Sequence, residues 1–394
     1  MNDMTFATPL LSPDSPLDQH SKELIAEIYA REQAKALGLP TDDPLDPKRR
    51  ARVDLTLTEM WEQPEIIQKN LELEKQAIEE TAAYIASLPL ERIYMTGCGD
   101  SIASMIAVRG FYEEILGIPC ETIQALDFTY YYNRPVNERS LVITLSSSGT
   151  TVRTVEAMLV ARAKGAVTLT LSNTQGSPLM VESSRGLLIR AQRKGWPTQS
   201  STAAMALLYQ LGIDLARKKG YPANKLDEYQ KTLNNIPKLV EQVLNTQDKP
   251  VEEIANEEAE RKIYLFAGGG PAYASTLIGA AKVRELSPDH SIAIPLEEFH
   301  HYNSQKEGDP LFLIAPKGPS VPRALDTVRE GRRWGGQVYS IVTEGDHTLE
   351  AGSNKVLSLP ELVEYFTPIV YTVPLQLFAY HIAIAKFRLA EKIV

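Results

Sequence analysis

The chain has 394 residues, of which 43% are hydrophobic and 23% charged, a composition typical of globular domains with sizeable cores. Its 50 acidic and 41 basic residues give a formal net charge of −9, which argues against a nucleic-acid-binding protein. Its two cysteines, Cys98 and Cys120, are too few for a disulfide framework or a zinc site and are typical of a reducing cytoplasm.

The first 54 residues are rich in proline, aspartate and charge, with one helical stretch at 21–37. They predict an arm that wraps a neighbour rather than a separate domain, and their three early aspartates argue against a signal peptide. Residues 56–87 follow a helical pattern with a break at Pro64. The longest apolar region, 371–385, is interrupted by polar residues and is predicted to be too short and too polar to span a membrane.

From residue 92 onward, strand and helix patterns alternate. The predicted strands are 92–96, 121–125, 141–145, 166–171 and 186–191, and the predicted helices are 102–116, 152–164 and 200–218. This alternation predicts a parallel α/β sheet flanked by helices.

The second half of the chain repeats the first. After two predicted polar helices, 224–246 and 250–261, residues 263–275 parallel residues 93–104. Further matching elements follow: a strand at 310–316, a helix at 321–334 and a strand at 337–342. The sequence therefore predicts two copies of one α/β unit, whose starts lie about 170 residues apart. The first copy is expected at 55–223 and the second at 224–394.

One loop in the first copy is rich in hydroxyl groups. The buried strand 141–145 runs into Ser146-Ser147-Ser148-Gly149-Thr150-Thr151, and a helix follows. Hydroxyls and free amides at a helix N-terminus suit an anionic group such as a sugar phosphate, although they also suit ordinary capping. The equivalent loop of the second copy, 316–320, has lost the hydroxyl run. Since both helices need a cap, this loss favours anion binding.

Seven motifs, in order, resemble the tandem SIS (sugar isomerase) family. They are Glu62-Gln63-Pro64, Gly97-Cys98-Gly99-x-Ser101, Ser146-x-Ser148-Gly149-x-Thr151, Ser201-Thr202, Lys282-Val283-Arg284-Glu285, Glu298-Phe299-His300-His301, and the helix that begins at Tyr371. The resemblance covers residues from about 55 to 394. It is to the isomerase half of glucosamine-6-phosphate synthase and to fructosamine-6-phosphate deglycases. It implies two SIS domains, each a flavodoxin-like three-layer sandwich.

The resemblance also assigns roles. Glu285 is expected to be the base that removes the proton α to a carbonyl, with Lys282 on the same helix face. His301, 16 residues further on, is the expected ring-opening acid–base, and His300 is its rival. The resemblance implies that this histidine acts in the neighbouring subunit's site, so a homodimer is expected.

Substrate contacts are expected from Gly99, Asp100, Ser101, Ser201 and the hydroxyl-rich loop. Asp100 departs from the threonine or serine that many relatives have there, and a carboxylate beside a phosphate is costly unless a cation intervenes. The ligand is therefore a phosphate held farther away, a sulfonated sugar or a neutral derivative. Lys392 is a candidate for the family's C-terminal lysine. His381 is as readily a core residue as a functional one.

The reaction remains open between aldose–ketose isomerisation and deglycation. Isomerisation is favoured slightly because no second cationic pocket for an amino-acid carboxylate is visible in the sequence. A sugar-phosphate-binding regulator is the third candidate, but no basic helix-turn-helix pattern occurs in the first 90 residues. No metal, nicotinamide or flavin is expected. No glutaminase half precedes the first unit, so glutamine-dependent ammonia transfer is not expected.

Overall fold

The computed structural model describes residues 10–302 and 304–393. The first half contains α1 (Gln19–Ala36), α2 (Pro47–Trp61), α3 (Gln63–Leu73), α4 (Lys75–Ala86), β1 (Arg92–Gly97), α5 (Asp100–Leu116), β2 (Cys120–Gln124), α6 (Ala125–Asp127), β3 (Ser140–Leu145), α7 (Val152–Ala163), β4 (Val167–Ser172), α8 (Pro178–Glu182), β5 (Arg185–Leu188) and α9 (Gln199–Lys218). The second half contains α10 (Ala223–Glu257), β6 (Ile263–Gly268), α11 (Ala272–Leu286), β7 (His290–Pro295), β8 (Pro310–Ala315), α12 (Val321–Arg333), β9 (Gln337–Thr343), β10 (Lys355–Leu359), α13 (Thr367–Tyr371) and α14 (Val373–Ile393).

Each half is built on a five-stranded parallel sheet. The strand orders are β2-β1-β3-β4-β5 and β7-β6-β8-β9-β10, which are the same flavodoxin-like order. In the first sheet Gly97 lies opposite Leu145, so the loops after β1 and β3 leave the sheet side by side. All six residues of β3 are buried, as the uninterrupted apolar run predicts. The predicted α/β class with two similar units is confirmed.

The two halves share one hydrophobic core. A single cluster of buried side chains takes in α5 and α9 from the first half and α10, α11 and α14 from the second. α11, which carries Glu285, packs directly on α5, which begins at the Gly97–Ser101 turn. The elements of the predicted site therefore lie on packed, rigid supports.

The prediction of two helices between residues 224 and 261 was wrong. A single 35-residue helix, α10, covers most of this range with Pro237 and Pro250 inside it. Its apolar stripe packs on α14, and this long packed face keeps the helix continuous through positions where proline removes a backbone hydrogen bond.

The C-terminal helical region also differs from expectation. Residues 364–392 are long and apolar enough to cross a membrane by length and composition, which contradicts the prediction from sequence. However, 83% of the most apolar window is buried inside the protein. That burial is the pattern of a core helix.

The N-terminal segment folds onto its own chain. Leu17, Ile25 and Ile28, in and just before α1, pack against α7 in a small hydrophobic cluster. Asp18 caps α1, since its Oδ1 accepts a hydrogen bond of 2.8 Å from the Ser21 amide. The expected boundary between residues 54 and 55 falls inside α2, which packs on α14.

Candidate active site

A cavity of about 210 Å³ opens at the carboxyl edge of the first sheet. Its lining residues are Cys98, Gly99, Asp100, Ser101, Leu145, Ser147, Ser148, Thr151, Arg193, Pro197, Ser200, Ser201 and Glu285. The carboxyl edge is where parallel α/β sheets bind ligands. Eight of the twelve residues predicted from sequence thus face one space, although they come from both halves of the chain.

The turn after β1 brings backbone close to the cavity. Gly99 has φ +57°, a conformation that favours glycine, and α5 begins at the next residue. At Gly97 a Cβ would lie 2.8 Å from the Ser101 Cβ and 3.0 Å from the Leu145 carbonyl oxygen. Only glycine permits this approach of β1, β3 and α5.

The hydroxyl-rich loop divides its side chains between internal support and the cavity. Ser146 is buried: its Oγ lies 2.9 Å from Thr151 Oγ1 and accepts a 3.1 Å hydrogen bond from the Gly149 amide. Gly149 has φ +65°, and a Cβ there would overlap the Ser177 side chain. Thr151, at the N-cap of α7, makes no side-chain capping bond. Ser148 Oγ also accepts a 3.2 Å hydrogen bond from the Thr150 amide, so part of the loop supports itself, whereas the Thr151 hydroxyl does not cap α7 and faces the cavity, which favours the ligand interpretation.

A buried lysine joins the two halves of the chain by pairing with two carboxylates that line the cavity. Lys282 has a fully buried side chain, and its Nζ lies 2.6 Å from Asp100 Oδ2. The same Nζ forms an ion pair with Glu285, one turn along α11. A cation thus lies beside Asp100, which is the condition under which a carboxylate near an anionic ligand is less costly. Because it is shared, one positive charge compensates two carboxylates.

The electrostatics of this triad bear on the proposed base. Burial raises the pKa of Glu285, Lys282 opposes that rise, and the nearby Asp100 charge adds to it. The pKa of Lys282 is also raised: burial alone would lower it, but the two carboxylates outweigh burial. A carboxylate with a raised pKa is a stronger base, and one third of the Glu285 side chain is exposed.

Arg49 holds the end of α11 in place. Its Nη1 donates hydrogen bonds of 2.8 and 3.1 Å to the carbonyl oxygens of Glu285 and Leu286. Its Nε donates to the Thr41 carbonyl at 2.7 Å, and its Nη2 pairs with Asp42 at 2.9 Å. The last carbonyls of a helix lack partners within the helix, so Arg49 satisfies two of them and complements the helix dipole.

Three of the recognised motifs meet in a buried hydrogen-bond chain. Gln63 Oε1 accepts a 2.9 Å hydrogen bond from Thr202 Oγ1, and Gln63 Nε2 donates at 2.9 Å to Gln376 Oε1. Glu62 accepts a 2.8 Å bond from Gln199 at the start of α9. These contacts fix the start of α9, which carries Ser201. Ser201 in turn lies 3.4 Å from Asp100 Oδ2.

One arginine that lines the cavity, Arg193, and a second one near it, Arg52, were not predicted. Arg52 stacks over Trp196, with its guanidinium carbon 3.5 Å from the ring centroid. The two are 141 positions apart in the sequence. Because α2 must dock before they meet, no local pattern could have revealed them.

The structure does not bring the remaining predicted residues to this cavity. His301 is 58% exposed, with Nε2 3.3 Å from Glu297, and Lys392 is exposed near the end of α14. His300 is nearly buried, with ring nitrogens 2.6 Å from Glu330 Oε2 and 2.9 Å from Thr327 Oγ1. His381 pairs with Asp248 at 2.8 Å.

A larger cavity of about 960 Å³ lies between α3, α4, α9 and α10. Among the residues that the structure describes, its walls include none of the twelve predicted site residues, although Pro64 of the Glu62-Gln63-Pro64 motif lines it. The smaller cavity is preferred as the site because glycine turns, helix N-termini and a base with a perturbed pKa converge there.

Comparison with known proteins identifies the family. A family model described as the SIS domain matches residues 89–213 and 258–386, one match on each sheet. The chain belongs to the SIS domain family. The resemblance drawn from the seven sequence motifs is thereby confirmed.

The curated relatives are about twice as long as the matched region. Glutamine–fructose-6-phosphate aminotransferase (isomerizing) from Escherichia coli is 31% identical over 340 residues, which cover 83% of this chain and 55% of that protein. The protein of the same name from Aquifex aeolicus is 33% identical over 331 residues, covering 83% and 54%. The chain therefore spans about half the length of these relatives.

Solved structures share the fold. The C-terminal domain of glucosamine-fructose-6-phosphate aminotransferase from Francisella tularensis superposes with a TM-score of 0.76 at 24% identity, covering 84% of this chain and 96% of that one. Tagatose-6-phosphate ketose/aldose isomerase from Escherichia coli gives a TM-score of 0.69 at 17% identity, covering 84% and 93%.

Proposed function

We propose that this SIS-family protein is an enzyme that interconverts the aldose and ketose forms of an anionic sugar, phosphorylated or sulfonated, through an enediol. The observation that carries the proposal is that Glu285 from the second unit and the hydroxyl-rich loop from the first line one cavity. Relatives named as isomerising aminotransferases and as a ketose/aldose isomerase support this choice of chemistry.

In this mechanism the first unit, 55–223, holds the anionic end of the sugar. Ser147, Ser148 and Thr151 supply the hydroxyl donors for this end of the sugar. Glu285 then removes the proton from the carbon next to the carbonyl and returns it to the former carbonyl carbon, while the hydroxyl proton passes to the former carbonyl oxygen. Proton transfer alone requires no metal or redox cofactor.

The ion pairs of Lys282 with Asp100 and Glu285 balance the charge in this step. When Glu285 takes up the substrate proton it becomes neutral, and Lys282 then pairs with Asp100 alone. The ammonium group is also within reach of negative charge that develops near Glu285. Asp100 accepts hydrogen bonds from sugar hydroxyls, as it does from Ser201.

The first experiment follows hydrogen exchange. Sugar 6-phosphates and 6-sulfonates incubated in D₂O are expected to take up deuterium at C1 or C2, as read by NMR. Glu285→Gln is expected to lower the exchange rate by about 10²–10⁴-fold while leaving the sugar's affinity nearly unchanged. Unchanged exchange in this variant would exclude Glu285 as the base.

A second experiment addresses His301. It is exposed and lies outside the cavity, which supports a role as ring-opening acid–base in the site of a partner subunit of a homodimer. Glu285→Gln and His301→Ala, each inactive alone, are expected to regain activity when mixed and allowed to exchange subunits. One mixed site then contains both native groups. If the mixtures stay inactive despite subunit exchange, His301 either acts within its own subunit or takes no part in catalysis.

A deglycase is the alternative enzyme, because it begins with the same proton abstraction and then expels an amine from C1. A non-catalytic sugar-phosphate-binding regulator is the less favoured candidate, since the site contains a candidate base. The cytoplasm is the proposed location, because Cys98 and Cys120 are both unpaired.

A further inference from the structure

We propose that His300 is a positioning residue for His301: as a cation held between Glu330 and Thr327 of α12, it fixes the turn that presents His301. The inference rests on the proposed function, because it takes His301 to open the sugar ring. It deepens that function by giving the two adjacent histidines separate roles.

The turn that carries His301 is attached to the second unit by its buried side. A short 3-10 turn, Glu298–His300, follows β7. Within it Phe299 is 1% exposed and belongs to a hydrophobic cluster that includes residues of α12. The side chain of His300 is only 8% exposed, whereas that of His301 is 58% exposed. The segment therefore projects His301 outward from a buried base.

The hydrogen bonds of His300 define its charge. Its Nδ1 lies 2.6 Å from Glu330 Oε2, and its Nε2 lies 2.9 Å from Thr327 Oγ1. The Thr327 hydroxyl donates its only proton to the Arg323 carbonyl oxygen at 3.1 Å, so it accepts a hydrogen bond from Nε2. An ionised carboxylate can only accept, so Nδ1 also carries a proton. Both ring nitrogens are therefore donors, as in an imidazolium ion.

These two contacts, here called the His300 clamp, hold the ring at two points of one helix. Glu330 and Thr327 are three residues apart on α12, so they lie on the same face. The bond to Glu330 joins opposite charges, and such bonds are about twice as strong as neutral ones. Loss of either partner leaves a nearly buried charge without compensation, which is strongly unfavourable. The clamp therefore opposes any separation of the turn from α12.

A second contact with α12 orients His301 itself. Arg323 donates from Nε and Nη2 to the two carboxylate oxygens of Glu297, each at 2.7 Å. These hydrogen bonds hold the pKa of Glu297 below its ordinary value, so the carboxylate stays ionised. Its Oε1 lies 3.3 Å from His301 Nε2, which leaves Nδ1 to exchange a proton with a sugar oxygen. Because exposed pairs of this kind contribute little, the buried His300 clamp carries most of the attachment.

The test compares two sugars that differ in whether a ring must open. Fructose 6-phosphate is mostly cyclic, whereas the ketose form of its 5-deoxy analogue stays open because it lacks the C5 hydroxyl. The native protein in D₂O is expected to introduce deuterium at C1 of both, as read by NMR. His300→Gln should lower the exchange rate of fructose 6-phosphate by about 10- to 100-fold, and that of the analogue by less than about threefold. A merely structural defect would lower both rates alike.

Matched variants separate the clamp from the bulk of the side chains. Thr327→Val removes the acceptor at similar volume and should change the ratio of the two rates as His300→Gln does. Thr327→Ser keeps the hydroxyl and should preserve the native ratio. His381→Gln is the control, because His381 is also nearly buried and lies 2.8 Å from a carboxylate, that of Asp248, but belongs to α14. It should preserve the ratio.

Nitrogen NMR of histidine-labelled protein gives a readout that does not depend on turnover. At pH 7 the His300 ring is expected to show two protonated nitrogens. The His301 ring signals should shift in Thr327→Val and keep their native positions in Thr327→Ser.

The outcomes distinguish the clamp from the proposed function. Native protein that exchanges neither sugar would contradict the proposed function, and the NMR result would then decide the clamp. A neutral His300 ring, equal losses for both sugars in His300→Gln, or a native rate with fructose 6-phosphate would each overturn the inference. So would a native ratio in His301→Ala, because ring opening would then not depend on His301.

Discussion

Replacement of Lys282 by methionine tests the central charge arrangement. The lysine side chain is fully buried, and its Nζ lies 2.6 Å from Asp100 Oδ2. At an effective dielectric constant of about 20, unit charges at that separation attract by about 6 kcal/mol. Desolvation offsets much of this attraction. Removal of the cation alone, however, leaves Asp100 and Glu285 unpaired, so we expect the free energy of unfolding to fall by about 3–5 kcal/mol at pH 8.

The loss of unfolding free energy in Lys282→Met is expected to depend on pH. Burial already raises the pKa of Glu285, and without the opposing lysine that folded-state pKa rises further above its unfolded value. The folded state then binds more protons than the unfolded state, so stability decreases as pH rises. The destabilisation at pH 5 is therefore expected to be smaller than at pH 8, by roughly 1.4 kcal/mol for each unit of added pKa shift.

Urea denaturation followed by circular dichroism at the two pH values measures both effects. The matched control is Lys225→Met, because Lys225 forms an exposed pair with Glu228 at the same i,i+3 spacing and should cost less than about 1 kcal/mol. The double change Asp100→Asn with Lys282→Met should recover part of the stability. A loss below about 1 kcal/mol for Lys282→Met, or a loss that grows toward pH 5, would refute the reasoning.

Three further changes test other parts of the site. Because burial raises the pKa of Glu285, catalysis should increase with pH through an inflection above the ordinary glutamate value, as a kcat/KM profile would reveal. Arg49→Ala should cost about 2–3 kcal/mol and lower kcat, since carbonyls of α11 lose their partners, whereas Arg50→Ala should cost less than about 1 kcal/mol. Gly149→Ala should weaken sugar-phosphate binding and cost more stability than Gly117→Ala, whose added Cβ meets no atom within 4 Å.

Contrary results would be equally informative. An inflection below the ordinary glutamate pKa would mean that the lysine outweighs burial at Glu285. If Arg49→Ala and Arg50→Ala lowered the free energy of unfolding equally, Arg49 would not be stabilising the end of α11. Equal costs at Gly149 and Gly117 would mean that the loop adjusts to a side chain, so that its close packing would not be needed for anion binding.

The parts of the site that local patterns could predict are the glycine turn and the hydroxyl-rich loop. Both follow buried strands, with all six residues of β3 and five of the six residues of β1 buried. A buried apolar run followed by glycine and hydroxyl residues indicates a strand end and a helix start. Because neighbouring parallel strands end at the same edge, the sequence also places the two loops together. The family resemblance, rather than any local pattern, singled out Glu285.

The parts that the sequence could not reveal depend on packing between distant segments. The sharing of Lys282 between Asp100 and Glu285 requires α11 to lie on α5, and nothing within either helix encodes that contact. The approach of Arg52 to Arg193 requires the docking of α2. The continuity of α10 through Pro250 depends on α14, a partner more than a hundred residues away, whereas local propensity favours a break.

The shared core has a consequence for how the two copies diverge. An assembly of two separate, identical chains obeys symmetry, so every substitution appears on both sides of the contact. Here the copies are covalently joined, and each position changes alone. The first copy can keep its serines while the second has Lys317-Gly318-Pro319 in the same place, and the second can supply an acid that the first does not need. Fusion thus allows the anion-binding serines and the acid to occur once each, in different copies. A symmetric pair of identical chains would have to carry both in every chain.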